Sequence, residues 1–222
     1  DKDDVEHLGL LKLDVLGIRM QSAMAYALDE VERVDGPLYR PDLDAVPFDD
    51  PATYDLIRST HTLGCFQIES PGQRELVGKF APETFDDLII DISLFRPGPV
   101  KSDMVRPFLN ARHGWAEPQY LHPDLEPVLR PTYGVVVFHE QVIDMLHVIT
   151  GCSRAEGDEK RRALGDPDGQ AETREWFYRK ARLRGYDLPT IERIWDVLRA
   201  FASFGFCKAH AAAFALPTYQ SA

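Results

Sequence analysis

The sequence predicts a mixed α/β fold that is mainly α-helical and carries a few short strands. Three observations predict it. Apolar residues recur at helical spacing, most clearly Ile191, Ile194, Trp195, Leu198 and Phe201. Residues that favour helix N-caps stand directly before proline at Asp50-Pro51 and Ser70-Pro71. Brief apolar runs at 63–68 and 134–138 are bounded by turn residues and read as strands. The 222 residues, 44% hydrophobic and 27% charged, match an ordinary globular chain of one large or two small domains and exclude disorder throughout. Apolar runs such as Val135 to Phe138 last a few residues, whereas a spanning helix needs about 20, so a transmembrane protein is excluded.

The elements follow in order. The opening stretch 7–17, closed by Gly17, alternates so that Leu11, Leu13 and Val15 share one face of a strand and Lys12 and Asp14 the other. Residues 18–34 read as a helix with Ile18, Met20, Met24, Leu28, Val31 and Val34 near one stripe, ended by Gly36-Pro37. Asp50-Pro51 starts a short helix through Arg58, and Ser70-Pro71 repeats the device. A helix over 84–95 breaks at Arg96-Pro97-Gly98-Pro99. Five prolines make 106–134 irregular and forbid any long helix there. After the strand at 134–138, a helix over 140–150 stops at Gly151, and further helices fill 155–164, 169–184 and 189–203.

Net charge is −11, which argues against a uniformly basic nucleic-acid-binding surface. Its distribution is uneven. Residues 1–60 carry 6 basic and 14 acidic side chains, 61–150 carry 7 and 12, and 151–222 carry 12 and 10. The last third is therefore the segment suited to meet phosphate. Asp1-Lys2-Asp3-Asp4-Val5-Glu6 lacks the basic start and apolar middle of a secretory signal. Cys65, Cys152 and Cys207 are widely spaced with no C-x-x-C pair, so neither a disulfide framework nor a zinc knuckle is expected, and the cytoplasm is the expected location. The two ends lack the features of natural termini, so the chain reads as cut from something larger.

Several residues are placed to carry chemistry. Asp14 beside an apolar strand is costly unless it is paired or holds a metal, and Lys12 on the same face is either its ion-pair partner or a contact for an anionic substrate. Arg161 and Arg162 point about 100° apart on a helix, so two planar forks can grip one triphosphate, unless the flanking acids Glu156, Asp158, Glu159 and Asp166 satisfy them. Phe204-Gly205-Phe206 permits a tight turn, after which Lys208 and His210 either face a nucleotide or sit at the rim of a core turn. Arg96 and Lys101 flank a rigid proline turn, where Arg96 either touches a nucleic-acid backbone or caps the preceding helix. His139-Glu140 offers an acid or base, but His139 and His147 have no third ligand for zinc. Absence of G-x-x-x-x-G-K-[ST], G-x-G-x-x-G and G-x-S-x-G argues against a P-loop ATPase, a dinucleotide-binding unit and a common serine hydrolase.

The segments Leu11-Lys12-Leu13-Asp14-Val15-Leu16-Gly17, Phe66-Gln67-Ile68-Glu69-Ser70, Phe95-Arg96-Pro97-Gly98-Pro99, Tyr133-Gly134, Glu140-Gln141, Arg161-Arg162-Ala163 and Phe204-Gly205-Phe206 together resemble the bacterial C-family DNA polymerases, the family of the polymerase III alpha subunit. They occur in the family's order across the whole chain. The resemblance implies that residues 1–17 are the end of the palm with its catalytic strand, and that 18–222 are a fingers domain incomplete at its C-terminus. It implies DNA-directed DNA polymerase activity in the parent chain. Asp14 matches a catalytic, metal-holding aspartate, and Lys12, Arg161, Arg162, Lys208 and His210 match residues near the incoming nucleotide. Arg96 and Lys101 become DNA contacts. Two Mg²⁺ ions, primer-template DNA and deoxynucleoside triphosphates are implied, together with a sliding clamp and accessory proteins bound outside these residues, and no membrane.

Where replicative members usually carry Tyr-Gln-Glu-Gln and Phe-Asn-Lys-Ser-His, this chain has Phe138-His139-Glu140-Gln141 and Phe206-Cys207-Lys208-Ala209-His210. The usual Met-Gly-Lys-Lys after the arginine pair is Leu164-Gly165-Asp166-Pro167, which removes positive charge. These variants are similar to the damage-inducible, error-prone branch active in translesion synthesis. A replicative alpha subunit and a non-catalytic, polymerase-like scaffold of a repair complex are the rival readings. Two-metal nucleotidyl transfer needs several carboxylates, and Asp14 is one of them, so the isolated chain is expected to be inactive.

Overall fold

The computed structural model describes residues 2–11, 17–95, 104–201 and 205–222. They belong to two compact units, Asp1–Ala45 and Val46–Ala222. Among the described residues no helix is long and apolar enough to cross a membrane.

The first unit contains α1 (Lys2–His7), α2 (Arg19–Asp35) and a single 3₁₀ turn at Pro37–Tyr39. The strand expected over 7–17 is not shown: His7 ends a helix, Gly9 turns the chain at φ 67°, and 12–16 lie outside the described residues. The expected helix over 18–34 forms as α2. Met20, Met24, Leu28 and Val31 are half-buried along one stripe, while Val34 is exposed. Gly36 ends α2 at φ 94°, and Arg40 reaches back to Asp29 at 2.6 Å and Glu32 at 2.8 Å.

The second unit is helical. Its elements are α3 (Pro51–Arg58), α4 (Pro71–Phe80), α5 (Phe85–Leu94), α6 (Val105–Arg112), α7 (Glu126–Leu129), α8 (His139–Thr150), α9 (Arg154–Ala163), α10 (Pro167–Leu183), α11 (Leu188–Phe201) and α12 (Lys208–Gln220). Local chemistry sets most of their starts. Asp50 accepts the Thr53 N–H at 2.9 Å, and Ser70 accepts that of Gln73 at 3.4 Å. Thr84 and Asp87 form a reciprocal capping box at the head of α5. Pro107 is tolerated in α6 because it sits in the first turn, where its missing N–H has no helical acceptor. Gly151 stops α8 at φ 71°.

The predicted strand at 63–68 is a run of turns instead. Gly64 and Gln67 adopt positive φ, the Cys65 N–H returns to Thr62 O at 3.1 Å, and the Phe66 N–H finds the Ser221 hydroxyl at 2.9 Å. The predicted strand at 134–138 is extended but builds no ladder. Among the described residues Phe138 alone pairs, through one parallel bridge with Phe206. The segment is buried because it is a seam between two cores. Val135, Val137 and Phe138 pack with Ile57, Phe80, Leu88 and Tyr219, whereas Val136 packs with Met145, Phe177, Ile194 and Leu198. From Val135 to Val137 the alternating side chains of extended backbone serve both sides at once, and Phe138, where α8 is about to begin, stays with the first core.

Helix α12 was not expected from the sequence. Its alanines favour helix but give no apolar stripe to read, and Pro217 lies inside it. It packs along α5, with Ala211, Ala215 and Tyr219 buried in the first core.

Candidate functional site

The site is built around the N-terminus of α8. Gln141, 8% exposed, accepts the N–H groups of Val137 at 2.8 Å and Phe138 at 3.0 Å, and donates to Thr132 Oγ1 at 2.7 Å. That fixes the seam leading into the helix. The His139 N–H donates to Phe206 O at 2.9 Å. The next residue, Glu140, accepts the Lys208 N–H at 2.9 Å and 3.0 Å and faces the Cys207 thiol at 3.4 Å. A carboxylate from α8 thus caps α12, where the helix dipole favours negative charge. Gly205 is required by close approach: a Cβ there would sit 2.3 Å from the His139 ring.

Helix α9 supplies the arginines. Ser153 caps it by accepting the Glu156 N–H at 3.1 Å, and Gly157 lets it lie close on α8, since a Cβ there would be 3.2 Å from Ile143 O. One carboxylate holds both guanidiniums. Arg161 donates through Nε and Nη2 to Asp158 Oδ1 at 3.0 and 2.9 Å, and Arg162 Nη2 lies 2.8 Å from Asp158 Oδ2. Arg161 is 15% exposed and Arg162 is 74% exposed. Burial pushes the Asp158 carboxyl up, but hydrogen bonds and charge from the two arginines outweigh it and leave it below its ordinary value. His139 is held below the ordinary histidine range, first by burial and then by the nearby Arg161 charge, so its neutral form is favoured.

Arg161 acts on His139 through its charge, Lys208 meets Phe138 and Glu140, and Arg162 is tied to Arg161 through Asp158, so two cations stand at the first turn of α8 with the third tethered to one of them. The Lys208 ammonium lies 5.7 Å from the centre of the Phe138 ring and has no carboxylate partner among the described residues. The exposed His210 ring meets Phe206 edge-on at 5.3 Å and tilts over Phe214 at 4.2 Å. Lys12, Asp14, Arg96 and Lys101 lie outside the described residues. The described residues include no group of three or more His, Cys, Asp or Glu side chains able to hold a metal ion. His147 Nδ1 is engaged with Cys152 O at 2.5 Å.

Asp158 and Glu140 are the organising residues that sequence reasoning underrated. Asp158 stands three and four positions before the arginines, the spacing at which helical side chains meet. Glu140 acts on a residue far along the chain, and no local signal could reveal that. Chemically, three cations against the carboxylates of Asp158 and Glu140, beside an imidazole whose neutral form is favoured, leave a net positive charge suited to an anionic ligand.

Residues 20–185 match the model of the bacterial DNA polymerase III alpha subunit finger domain. The chain is 41% identical to a DNA polymerase III subunit alpha of Pseudomonas aeruginosa and 37% identical to that of Escherichia coli strain K12, with all of the chain and 20% of each relative covered. It is also 40% identical, with the same coverage, to a protein of Symbiobacterium thermophilum named error-prone DNA polymerase. The chain spans about a fifth of the length of these relatives. With the match covering most of its length, the chain belongs to the bacterial DNA polymerase III alpha subunit family and carries its finger domain.

Proposed function

We propose that this chain is the nucleotide-gripping part of a DNA-directed DNA polymerase that extends a primer on a DNA template, in the error-prone, translesion branch of its family. The observation that carries the reading is that Arg161 and Lys208 stand at the first turn of α8, with Arg162 joined to Arg161 through Asp158. Arg161 donates to Asp158 through Nε and Nη2, which leaves its Nη1 for a phosphate oxygen, and exposed Arg162 can swing its fork onto a second one. Lys208, positioned by the Glu140 cap, adds a point charge on the same approach. His210 completes the nucleotide side. Residues 18–222 act as fingers, 1–17 as the end of the palm, and Arg96 and Lys101 as DNA contacts.

In the complete enzyme Asp14 would help hold Mg²⁺, whose chemistry is activation of the primer hydroxyl and stabilisation of the leaving pyrophosphate. Asp14 lies outside the described residues, and the residues that carry this reading are the phosphate-binding cations. By itself the chain is expected to lack polymerase activity. Support for the error-prone branch comes from His139 and Cys207, from the lost basic pair at Asp166-Pro167, and from the similarity to one relative of that name.

The test is primer extension by the full-length parent protein, comparing wild type with Asp14→Ala and with Arg161→Ala/Arg162→Ala. Loss of extension in the first with DNA binding retained, and a nucleotide requirement raised at least tenfold in the second, are the expected results. Unchanged extension in both would sink the assignment. The similarity to replicative alpha subunits favours a second reading, separable by fidelity on undamaged template and by extension past an abasic site.

A further inference from the structure

The turn after α6 holds an aromatic pair where folding alone gives no reason for one. Trp115 is 74% exposed, which forfeits most of the burial an indole offers a core. Its backbone is nevertheless tightly held. The N–H groups of Trp115 and Ala116 both donate to Asn110 O, at 2.8 and 3.2 Å, and Gly114 makes the turn at φ 69°. Just before it, Arg112 anchors the end of α6 to Phe80 O at 2.8 Å, to Ala81 O at 3.1 Å and to Asp87. The His113 ring hydrogen-bonds Lys79 O at 2.7 Å, and the indole stacks on it with centroids 4.7 Å apart at 28°.

Trp115 and His113 border a groove of about 590 Å³ between α4 and α6, floored by Leu76, Val105 and Leu109. The Phe95 ring closes one end by lying on Gly72, where a Cβ would come within 2.2 Å of it. Lys79 and Arg106 stand on the rim. Arg106 has no ion-pair partner among the described residues, and the pair Lys79 makes with Glu75 at 2.6 Å is exposed on both sides and worth little. In a chain of net charge −11, an apolar groove with a preorganised indole and two available cations is complementary to a polyanion that carries flat rings.

We propose that this groove is a stacking site for an unpaired base of single-stranded DNA, with Trp115 on the base and Arg106 and Lys79 on the adjoining phosphates. Every base has a π-face, so such a site tolerates any sequence, as a template-handling surface must. The choice of DNA over other ligands rests on the polymerase reading. The groove's borders at Phe95 and Val105 also bracket, in sequence, the stretch that carries Arg96 and Lys101.

The experiment uses the full-length parent protein and a fluorescently labelled short oligodeoxythymidylate, with blunt duplex DNA as control. Stacking contributes about 1–3 kcal/mol per base, so Trp115→Ala is expected to weaken oligonucleotide binding about tenfold while blunt-duplex affinity and nucleotide requirement stay at wild-type levels. Trp115→Phe is expected to retain most of the affinity, which separates stacking from a folding defect. Arg106→Gln is expected to lower the salt dependence of binding by about one phosphate contact. Wild-type oligonucleotide affinity in Trp115→Ala, or equal loss on both DNAs, overturns the proposal. So does Trp115-dependent binding of a proline-rich peptide with no Trp115 dependence for DNA, which would make the groove a protein-docking site. Primer extension on the same preparations separates the two readings. Trp115-dependent binding without extension removes the polymerase reading alone, and extension with Trp115-independent binding removes this site alone.

Discussion

Asp158 decides how the arginine pair presents itself. It binds Arg161 through two N–H groups and Arg162 through one, so the trio carries one net positive charge instead of two. The two pairs are unequal. Arg162 is largely in water, where an ion pair contributes little, whereas Arg161 is 15% exposed and would lose the acceptor for both its Nε–H and its Nη2–H. Asp158→Ala is therefore expected to destabilise the chain by about 1–2 kcal/mol, and Asp158→Asn to recover part of that because its amide oxygen still accepts from Arg161. Urea denaturation of the three proteins checks this, and an Ala variant as stable as wild type would show that Arg161 needs no holding. The same residue explains how far the site could be read from sequence. Adjacent arginines on a helix suggest a phosphate grip, and an acid three and four residues upstream suggests an internal ion pair; the structure shows the ion pair, with Asp158 holding both guanidiniums, and the grip stays part of the proposal.

At the scale of elements, the cap of α12 links packing to the site. Glu140 belongs to the first turn of α8, yet its carboxylate satisfies the Lys208 N–H at the head of α12. Loss of a helix cap costs about 1 kcal/mol, so Glu140→Ala is expected to lower stability by that amount and, on the proposed polymerase reading, to raise the nucleotide requirement of the full-length protein by displacing Lys208. Glu140→Gln keeps an acceptor and is expected to fall between. Equal nucleotide requirements in all three, measured by single-nucleotide incorporation, would remove Glu140 from the site. Helices whose ends are set by neighbouring residues were legible: Asp50 and Ser70 before proline, Thr84 before Asp87, and Gly151 as a left-handed stop all act within one turn. Elements defined by distant partners were not. The run at 63–68 looks like a strand because it is apolar, but Gly64 and Gln67 turn it and its Phe66 N–H is satisfied by Ser221. The run at 134–138 is extended as expected, yet it lies between two helical cores instead of in a sheet. Helix α12 carries no stripe at all, since alanines line it where it meets α5.

Within the second unit, a feature that opposes stability is Asp91, buried on α5. It is fully buried, and both carboxylate oxygens lack a hydrogen-bond partner among the described residues. Burial drives its pKa well above the ordinary carboxylate value; the Arg112 charge pulls it down and the Asp87 charge pushes it up. Arg112 makes its hydrogen bonds to Asp87, Phe80 O and Ala81 O and none to Asp91. Asp91 is thus favoured as the neutral acid in the folded chain and ionises freely in the unfolded one. The sign follows from proton counting. Between the unfolded and the raised folded pKa the native state holds the extra proton, so stability falls as pH rises through that window. Below it, Asp91 is neutral in both states and this pH-dependent penalty disappears. Asp91→Asn removes the ionisation while keeping the shape, so its stability is expected to match wild type near pH 4 and to exceed it increasingly toward neutral pH. Urea midpoints at several pH values decide it. Two parallel curves would mean that Asp91 ionises in the folded core as readily as in water, and therefore that the core around α5 admits water or a cation to meet it.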